Sequence, residues 1–451
     1  WWKDEYEQKK DRKGELFFYA HHQMTNRFDC ERLSNYLPKV DALNWDKPIT
    51  GGFRPHATYK YEGEFPFRAD NQKFQDLPHL GIDEVKYYEQ RIREAVAQGY
   101  ALHRDGQQVN INNTDGINTL GEIIESSSNS LNDDFYGSLH NFAHILLSRV
   151  SDPQGKYGLP PGVMEHFETA TRDPAFFRLH KHVDSIFKAH KHSLTPYTHD
   201  ELNFHGVSVT DISVSSDGHP DNELGTFFDT FDFDLANALD SSPGVPDVDI
   251  KARVHRLNHD QFDYKIKVHS NAATTAVVRI FMAPTYNYYG QMMDDNEQIW
   301  MYVEMDRFTA ELKSGDNVIT RSSAASSATI PDRLGFKEMK AKLDSGELQF
   351  EHKKRHCGHP QRLLLPKGND VGMQFTLHVF LSDFELDKAY QHDPNTNVGN
   401  SLSYCGTLNE EYPDKRPMGF PFDRRVDDIQ EFLSTQNMAY SHIHIKHREN
   451  K

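Results

Sequence analysis

Cysteine is scarce in this chain of 451 residues, which has only Cys30, Cys357 and Cys405. No two of them form a Cys-x-x-Cys pair, so the sequence argues against a thiolate zinc site and a dithiol redox site. Long apolar runs are also missing, because no stretch approaches the roughly 18 uncharged apolar residues of a transmembrane helix. We therefore expect neither thiol chemistry nor a membrane-spanning protein.

Positive charge is in deficit, with 50 lysines and arginines against 67 acidic residues and a net charge of −17. Binding to phosphates needs a basic face, so we expect no nucleic-acid partner. The negative charge instead favours high solubility. The length exceeds that of one ordinary hydrophobic core, which predicts two domains.

Histidine is abundant, with 26 in the chain. His140 and His144 are four residues apart and would lie on one face of a helix. His180 lies on what reads as the next helix. Three neutral imidazoles from two helices would form a nitrogen-only site for copper, zinc, iron or nickel. The alternative is a helix with two histidines at its polar edge.

Residues 1–195 read as a mainly helical domain. The spacing of apolar residues predicts helices over residues 15–37, 85–102 and 118–126. Asp133 or Asp134 is the expected cap of the helix that carries His140. Pro174 is expected in the first turn of a helix that runs to about residue 192. On that helix, a solvated face is the expected place of three further histidines: His182, His190 and His192.

Residues 196–451 read as a second, β-rich domain. Short alternating runs are separated by Gly, Asn, Asp and Pro, which is typical of an antiparallel sandwich or barrel. The predicted strands cover residues 207–214, 262–268, 275–282, 299–305, 375–381 and 441–445. Helical insertions are predicted over residues 228–239 and 333–343, and a loop over residues 322–327.

Four segments resemble arthropod hemocyanins. Residues 14–24 (GELFFYAHHQM) resemble the third copper A histidine segment, and residues 140–180 resemble the copper B segment. Residues 161–174 (PGVMEHFETATRDP) are especially similar to crustacean members, and residues 412–421 (YPDKRPMGFP) resemble the signature near the family's C-terminus. The resemblance covers the whole chain.

The resemblance implies a type 3 dicopper centre that binds dioxygen, with three histidines on each copper ion. His140, His144 and His180 match the copper B ligands, and His21 rather than His22 matches copper A. The other two copper A ligands belong to a segment that the family carries before Trp1. We therefore expect an N-terminally incomplete subunit, without the family's first helical domain.

The resemblance also implies roles for residues near the site and for the cysteines. Phe176 and Phe177 are expected either as plain core or as rings packed on the imidazoles. Cys357 and Cys405 match family cysteines that form a disulfide. The segment around Cys357 also resembles the internal thioester of phenoloxidase relatives, but His356 and His359 replace the expected Gly and Trp. We therefore prefer the disulfide.

Two features lie outside the copper motifs. Cys30 is expected to be a free, buried thiol on a helix. Asn112 begins the sequon Asn112-Asn113-Thr114 and is a candidate glycosylation site.

The resemblance implies an α-helical dicopper domain and a C-terminal immunoglobulin-like sandwich. It also implies an oxygen carrier that is secreted into haemolymph and assembles into hexamers. The first alternative is a phenoloxidase that uses the same copper pair, with Glu165 or Glu168 as a base, although a plain surface role is expected for both. The second is a copper-free storage protein, against which the retained histidines argue.

Overall fold

The computed structural model describes residues 11–59, 63–235, 250–332, 336–348, 358–389 and 412–449. The helices of the first half are α1 (Lys13–Ser34), α2 (Ile82–Gln98), α3 (Gly116–Glu125), α4 (Asp133–Tyr136), α5 (Leu139–Arg149) and α6 (Ala175–Ser193). Those of the second half are α7 (His199–Leu202), α8 (Asp295–Trp300), α9 (Phe336–Asp344), α10 (Phe384–Asp387) and α11 (Ile429–Leu433).

The ends of the helices follow local chemistry. Gly99 ends α2 at a φ of 76°, a left-handed conformation that glycine adopts at little cost. The predicted helix over residues 85–102 is therefore too long, since residues 100–102 form a strand. The cap prediction at Asp133 or Asp134 is also wrong. Both lie inside the single-turn α4, whose cap is Asn132, while Ser138 directly precedes α5.

The helical core depends on a very close approach of α1 to α3. A β-carbon on Gly121 would lie 2.0 Å from the carbonyl oxygen of Gly14, and one on Gly14 would lie 2.0 Å from that of Asn118. Glycine at both places lets the two backbones touch. This contact fixes the position of α1, which carries the first candidate ligand, against the apolar core of α2, α5 and α6.

The strands complete the architecture. They are β1 (Tyr100–Leu102), β2 (Gln108–Asn110), β3 (Val207–Ser216), β4 (Glu223–Asp234), β5 (Lys251–His259), β6 (Phe262–Ser270), β7 (Thr274–Pro284), β8 (Val303–Leu312), β9 (Gly315–Ser322), β10 (Thr329–Ile330), β11 (His359–Pro360), β12 (Met373–Asp383) and β13 (Met438–Arg448). A six-stranded sheet has the order β5-β4-β13-β12-β7-β8, and a three-stranded sheet has the order β3-β6-β9. Within these two sheets all neighbours are antiparallel except β4 and β13, which run parallel.

Two predictions in the second half are corrected. Residues 228–234 belong to strand β4 and not to a helix, because they pair with β5 along their whole length. The segment 299–305 is split between the end of α8 and the start of β8. The helix predicted over residues 333–343 is present as α9, and residues 323–325 of the predicted loop form one 3-10 turn.

Strand β8 joins the two halves. Residues 303–308 are all buried, so both faces of the strand are covered. The register between β7 and β8 shifts between Ile280 and Phe281, which leaves an extra residue in β8. Such bulges re-aim nearby side chains, and Glu304 beside this one accepts a hydrogen bond from Tyr19 of α1.

Among the described residues, no helix is both long and apolar enough to cross a membrane.

Candidate metal centre

The structure brings all four predicted ligand histidines together between α1, α5 and α6. The Nε2 atoms of His140 and His180 are 3.1 Å apart. His21 stacks on His180 with ring centroids 4.5 Å apart and an interplanar angle of 7°. One nitrogen from each of these three rings lies within 4.8 Å of the others.

His144 closes the group from one turn further along α5. Its ring centroid lies 4.6 Å from that of His140 and 5.5 Å from that of His180. The i, i+4 spacing on α5 therefore places both rings on the face that meets α6. The geometry does not divide the four rings into two separate ligand sets, because His21 is nearer to His180 than His144 is.

Backbone carbonyls hold three of the four rings through Nδ1. His21 donates to the carbonyl of Phe17 at 2.7 Å, and His180 donates to that of Phe176 at 2.8 Å. His144 donates to Met164 at 2.6 Å, from the segment that follows α5. A proton on Nδ1 leaves Nε2 with a free lone pair, which is the arrangement that orients an imidazole as a metal ligand.

Burial keeps these rings neutral. It lowers the pKa of His21 to about 4, although the hydrogen bond to the Phe17 carbonyl opposes this shift. Burial also lowers the pKa of His144. It places the pKa values of His140 and His180 well below the usual range, and neighbouring histidines lower these two values further. Neutral imidazole is the form that binds a metal.

Aromatic rings cover the group, and one of them was not identified from the sequence. Phe176 lies 4.0 Å from His180, centroid to centroid. Phe17 lies 4.5 Å from His21 and 5.0 Å from His140, centroid to centroid. The sequence marked Phe17 only as one of the apolar residues of α1, so its place at the site was not predicted. Phe177 points elsewhere: its ring stacks on Phe28 at 3.7 Å.

His22 is occupied by a structural network. Its Nδ1 bonds the Asp184 carboxylate at 2.8 Å, and its Nε2 faces the Asn26 amide at 3.2 Å. The same carboxylate accepts a hydrogen bond from the indole of Trp300 at 2.8 Å. His22 thus ties α1 to α6 and to the second domain, and it is His21 that faces the other three rings.

The prediction that His182, His190 and His192 lie on a solvated face of α6 is wrong. His190 is 1% exposed and its Nε2 bonds the carbonyl of Ile111 at 2.7 Å. His182 is partly buried and bonds Glu89 at 2.8 Å, while the partly buried His192 lies against Trp300. Helix α6 packs against α1, α2 and α3, so most of its circumference is covered.

Of the two candidate bases, one is ion-paired and the other is exposed. Glu165 pairs with Arg149 through bonds of 2.9 and 3.1 Å, and Glu168 is exposed. Burial alone would raise the pKa of Glu165, but the Arg149 guanidinium outweighs it and lowers that pKa. An ion-paired carboxylate of this kind is a poor proton acceptor.

The remaining predicted features are distributed as follows. Cys30 is free and buried, and burial raises the pKa of its thiol well above the usual range. Cys357 and Cys405 lie outside the described residues, so the disulfide stays a prediction. Asn112 is exposed, as a glycosylation site must be.

The histidine group fits a bound metal ion by its own chemistry. His144 Nε2 is buried without a hydrogen-bond partner. The Nε2 atoms of His140 and His180 lie 3.1 Å apart. Neutral His180 carries its one proton on Nδ1, which donates to the Phe176 carbonyl, so its Nε2 has no proton to donate to His140. Unsatisfied buried lone pairs are costly, and a cation that accepts them removes that cost.

Comparison with known proteins gives a family match for each half of the chain. Residues 1–187 match the family "Hemocyanin, copper containing domain", and residues 196–447 match "Hemocyanin, ig-like domain". The chain is 46% identical to a hemocyanin of Palinurus vulgaris over 99% of its own length and 68% of that relative's length.

Two solved structures are similar in fold. A scorpion hemocyanin in its activated state superposes with a TM-score of 0.89 at 36% identity, over 98% of this chain and 70% of the other. A hemolymph-type prophenoloxidase from a crustacean superposes with a TM-score of 0.85 at 29% identity, over 98% of this chain and 66% of the other. The expected helical and immunoglobulin-like domains are confirmed, and the chain belongs to the hemocyanin family.

Proposed function

We propose that this chain carries dioxygen at a copper centre built on His21, His140, His144 and His180. The observation that supports the proposal is the convergence of four neutral imidazoles with free ring nitrogens from α1, α5 and α6. A donor set without thiolate or carboxylate serves both Cu(I) and Cu(II). The 46% identity to a hemocyanin supports the same function.

His140, His144 and His180 would hold one copper ion, and His21 would contribute to a second. The further ligands of the second ion are those that the resemblance places before Trp1. Copper in this set supplies one electron per ion through the Cu(I)/Cu(II) couple, which is the chemistry that reversible dioxygen binding requires.

The protein's own contribution is orientation and exclusion of water. The carbonyls of Phe17, Met164 and Phe176 fix the three rings in one tautomer, so the lone pairs are aimed before a ligand arrives. The rings of Phe17 and Phe176 cover the imidazoles with apolar surface. A dry site limits access of water and of larger molecules.

The test measures copper content and the ultraviolet-visible spectrum of the full-length protein under air and after removal of oxygen. We expect two copper ions per subunit and a near-ultraviolet band that disappears and returns with oxygen. His144→Ala should lose copper and the band, whereas the exposed His205→Ala should keep both. A full-length protein without copper and without the band would leave only the storage function.

A second candidate is phenoloxidase activity at the same centre, which the fold similarity to a prophenoloxidase supports. The ion pair of Glu165 with Arg149 argues against it, since it occupies the carboxylate of one candidate base. Oxidation of a catechol by the copper-loaded full-length protein tests it. We expect slow or no turnover, and sustained turnover would favour the enzyme.

We also propose an extracellular subunit that assembles into hexamers in haemolymph, as the resemblance implies. The net charge of −17 supports high solubility at high concentration. Sedimentation of the native protein tests the assembly, and a species of six subunits is expected. Glycopeptide mass spectrometry of the same material tests Asn112.

A further inference from the structure

Residues 49–59 and 63–74 form an antiparallel ladder that contributes none of the four candidate ligands. Three residue pairs make its bridges: Ile49 with Gln72, Phe53 with Arg68, and Thr58 with Glu64. The backbones of Phe53 and Arg68 exchange hydrogen bonds in both directions at 2.9 Å, which fixes the position of Arg68 in the ladder.

Arg68 ties the ladder to the start of α6. Both terminal nitrogens of its guanidinium donate to the Asp173 carboxylate, one of them at 2.7 Å, and one also donates to the carbonyl of Gly51 at 3.2 Å. Asp173 in turn accepts from the backbone N–H of Ala175, the first residue of α6, at 2.9 Å. The side chains of the pair are 4% and 3% exposed, so two parallel bonds hold a single geometry away from solvent.

The same ladder is bound to the end of α5. The side-chain amide of Gln72 donates to the carbonyl of Val150, directly after α5, at 2.6 Å. Ser151 donates to the carbonyl of Phe67 at 2.6 Å. The ladder therefore connects the point where the chain leaves α5 with the point where it enters α6.

A third contact reaches the segment that orients His144. The hydroxyl of Tyr59 donates to the carbonyl of Pro161 at 2.6 Å and lies 2.7 Å from the Nε2 atom of His166. Met164, whose carbonyl accepts from Nδ1 of His144, lies between these two contacts in the chain. A displacement of the ladder would therefore move the acceptor that holds the His144 ring.

The contact at the start of α6 extends to His180 in the same way. The carbonyl of Phe176 accepts from Nδ1 of His180 at 2.8 Å, and the two rings lie 4.0 Å apart, centroid to centroid. The backbone N–H of Phe176 donates to the carbonyl of Asp173 at 2.9 Å, so Asp173 is directly bonded to the residue that orients His180. Groups that orient a ligating imidazole govern metal affinity although they do not touch the metal.

We propose that Arg68 is a positioning residue of the copper centre. Through Asp173 it holds the start of α6 on the ladder, and the ladder holds the end of α5, so that the rings of His144 and His180 are kept at the separation that one copper ion needs. The inference rests on the proposed copper centre, but it does not depend on oxygen binding.

The test compares two double variants of the full-length protein, each of which removes a buried ion pair from α6. The first is Arg68→Met with Asp173→Asn, in which the asparagine oxygen still accepts from Ala175. The control is Lys191→Met with Asp423→Asn, a pair that is 0% and 1% exposed and lies about three turns beyond His180. Replacing both charges leaves neither one buried and unpaired, so both variants are expected to fold.

Release of copper to an excess of a Cu(I) chelator is the first measurement. We expect release at least about tenfold faster than in the wild type for the Arg68 variant, and a change below about twofold for the control. An unchanged rate in the Arg68 variant, or equal rates in the two variants, would overturn the proposal.

A spectrum distinguishes positioning from a loosened fold. The visible bands of Co²⁺, bound to the protein in place of copper, report the geometry of the ligands. These bands should shift in the Arg68 variant and stay in place in the control. Unshifted bands in the Arg68 variant would overturn the positioning role even where copper release is faster.

Hydrogen exchange of the copper-free protein separates this inference from the proposed function. Amides of residues 175–180 should exchange at least about tenfold faster in the Arg68 variant than in the control, because the contact with the ladder exists without metal. A wild type that binds no copper would contradict the proposed function, whereas equal exchange in the two variants would contradict the ladder contact itself.

Tyr59→Phe is a milder variant that removes one hydroxyl from the third contact. It should speed copper release about two- to tenfold, the range that the loss of one hydrogen bond gives. Its control is Tyr36→Phe, which removes an exposed hydroxyl bonded to Asp370 and should leave the rate unchanged. Equal rates in these two variants would show that the contact with Pro161 does not orient His144.

Discussion

Asp414 offers the sharpest test of how the second domain supports the first. Its carboxylate is 1% exposed and accepts hydrogen bonds from Arg279 at 3.0 and 3.2 Å and from Arg307 at 2.9 Å. The backbone N–H of Arg416 donates to it at 2.9 Å, and its own carbonyl accepts from Arg12 beside α1. Asp414 thus joins β7, β8 and the start of α1.

The substitution Asp414→Asn keeps the shape and removes the charge. The new amide nitrogen would face the donors of Arg279 and Arg307, which would lose their shared acceptor. Breaking a buried ion pair costs about 3–5 kcal/mol, and we take about 3 kcal/mol because Arg279 keeps Asp387 and Arg307 keeps Glu304. For a domain of this size the loss lowers Tm by about 6–12 °C.

The assay is thermal unfolding of the full-length protein, followed by circular dichroism at a fixed scan rate. The matched control is Asp316→Asn, whose carboxylate is 93% exposed and pairs only with an exposed His269 in the described structure. It should shift Tm by no more than about 2 °C. A Tm for Asp414→Asn within 1 °C or so of the control would refute the reasoning.

The same residue predicts a dependence on pH. Burial raises the pKa of Asp414, but Arg279 and Arg307 outweigh it, so the pKa lies below its ordinary value. A lowered pKa in the folded state gives stability that is present above the ordinary value and is lost as pH falls. Between pH 5 and pH 3 the wild type should therefore lose more stability than Asp414→Asn does.

Three further predictions concern the helical domain. Gly121→Ala should cost about 1–3 kcal/mol, because its β-carbon would meet α1 at 2.0 Å, whereas Gly51→Ala, with open space around it, should stay within about 0.5 kcal/mol in urea unfolding. Phe176→Ala should cost about 3–5 kcal/mol in the same assay and lower copper retention, since the ring packs on the site. Burial raises the pKa of Glu89, but hydrogen bonds from His182 and neighbours lower it to about 2, so its contribution to Tm should vanish between pH 4.5 and pH 2 and be absent from Glu89→Gln.

Contacts between α1 and residues 300–304 explain why the second domain matters to the metal centre. Gln23 donates to the carbonyl of Tyr302 and accepts from the backbone N–H of Glu304 at 2.7 Å. Asn26 donates to the carbonyl of Trp300 at 2.8 Å. Gln23 and Asn26 lie about half a turn and about one and a half turns along α1 from His21, so the segment 300–304 fixes the rotation of the helix that presents this ligand.

Local patterns in the sequence were sufficient to predict most of the helices and strands. The apolar period of α5 and α6 and the alternation in β3 and β6 reflect which face is buried, and burial decides these structures. The helix prediction for residues 228–234 was wrong. The phenylalanines of this segment are exposed, so its composition resembled that of a helical insertion, but its pairing with β5 makes it a strand.

Local patterns were enough to establish the ligand chemistry: the spacing of His140 and His144, a third histidine on the next helix, and motifs long enough to identify the family. The resemblance also selected His21 over His22, and the structure gives the reason, because Asp184 and Trp300 hold His22 so that His21 faces the site. Tertiary contacts decided what no local pattern shows. The roles of Phe17, His190 and the Glu165 pair depend on neighbours distant in sequence. Local sequence fixes which groups a helix displays, whereas packing fixes where they point and what they meet.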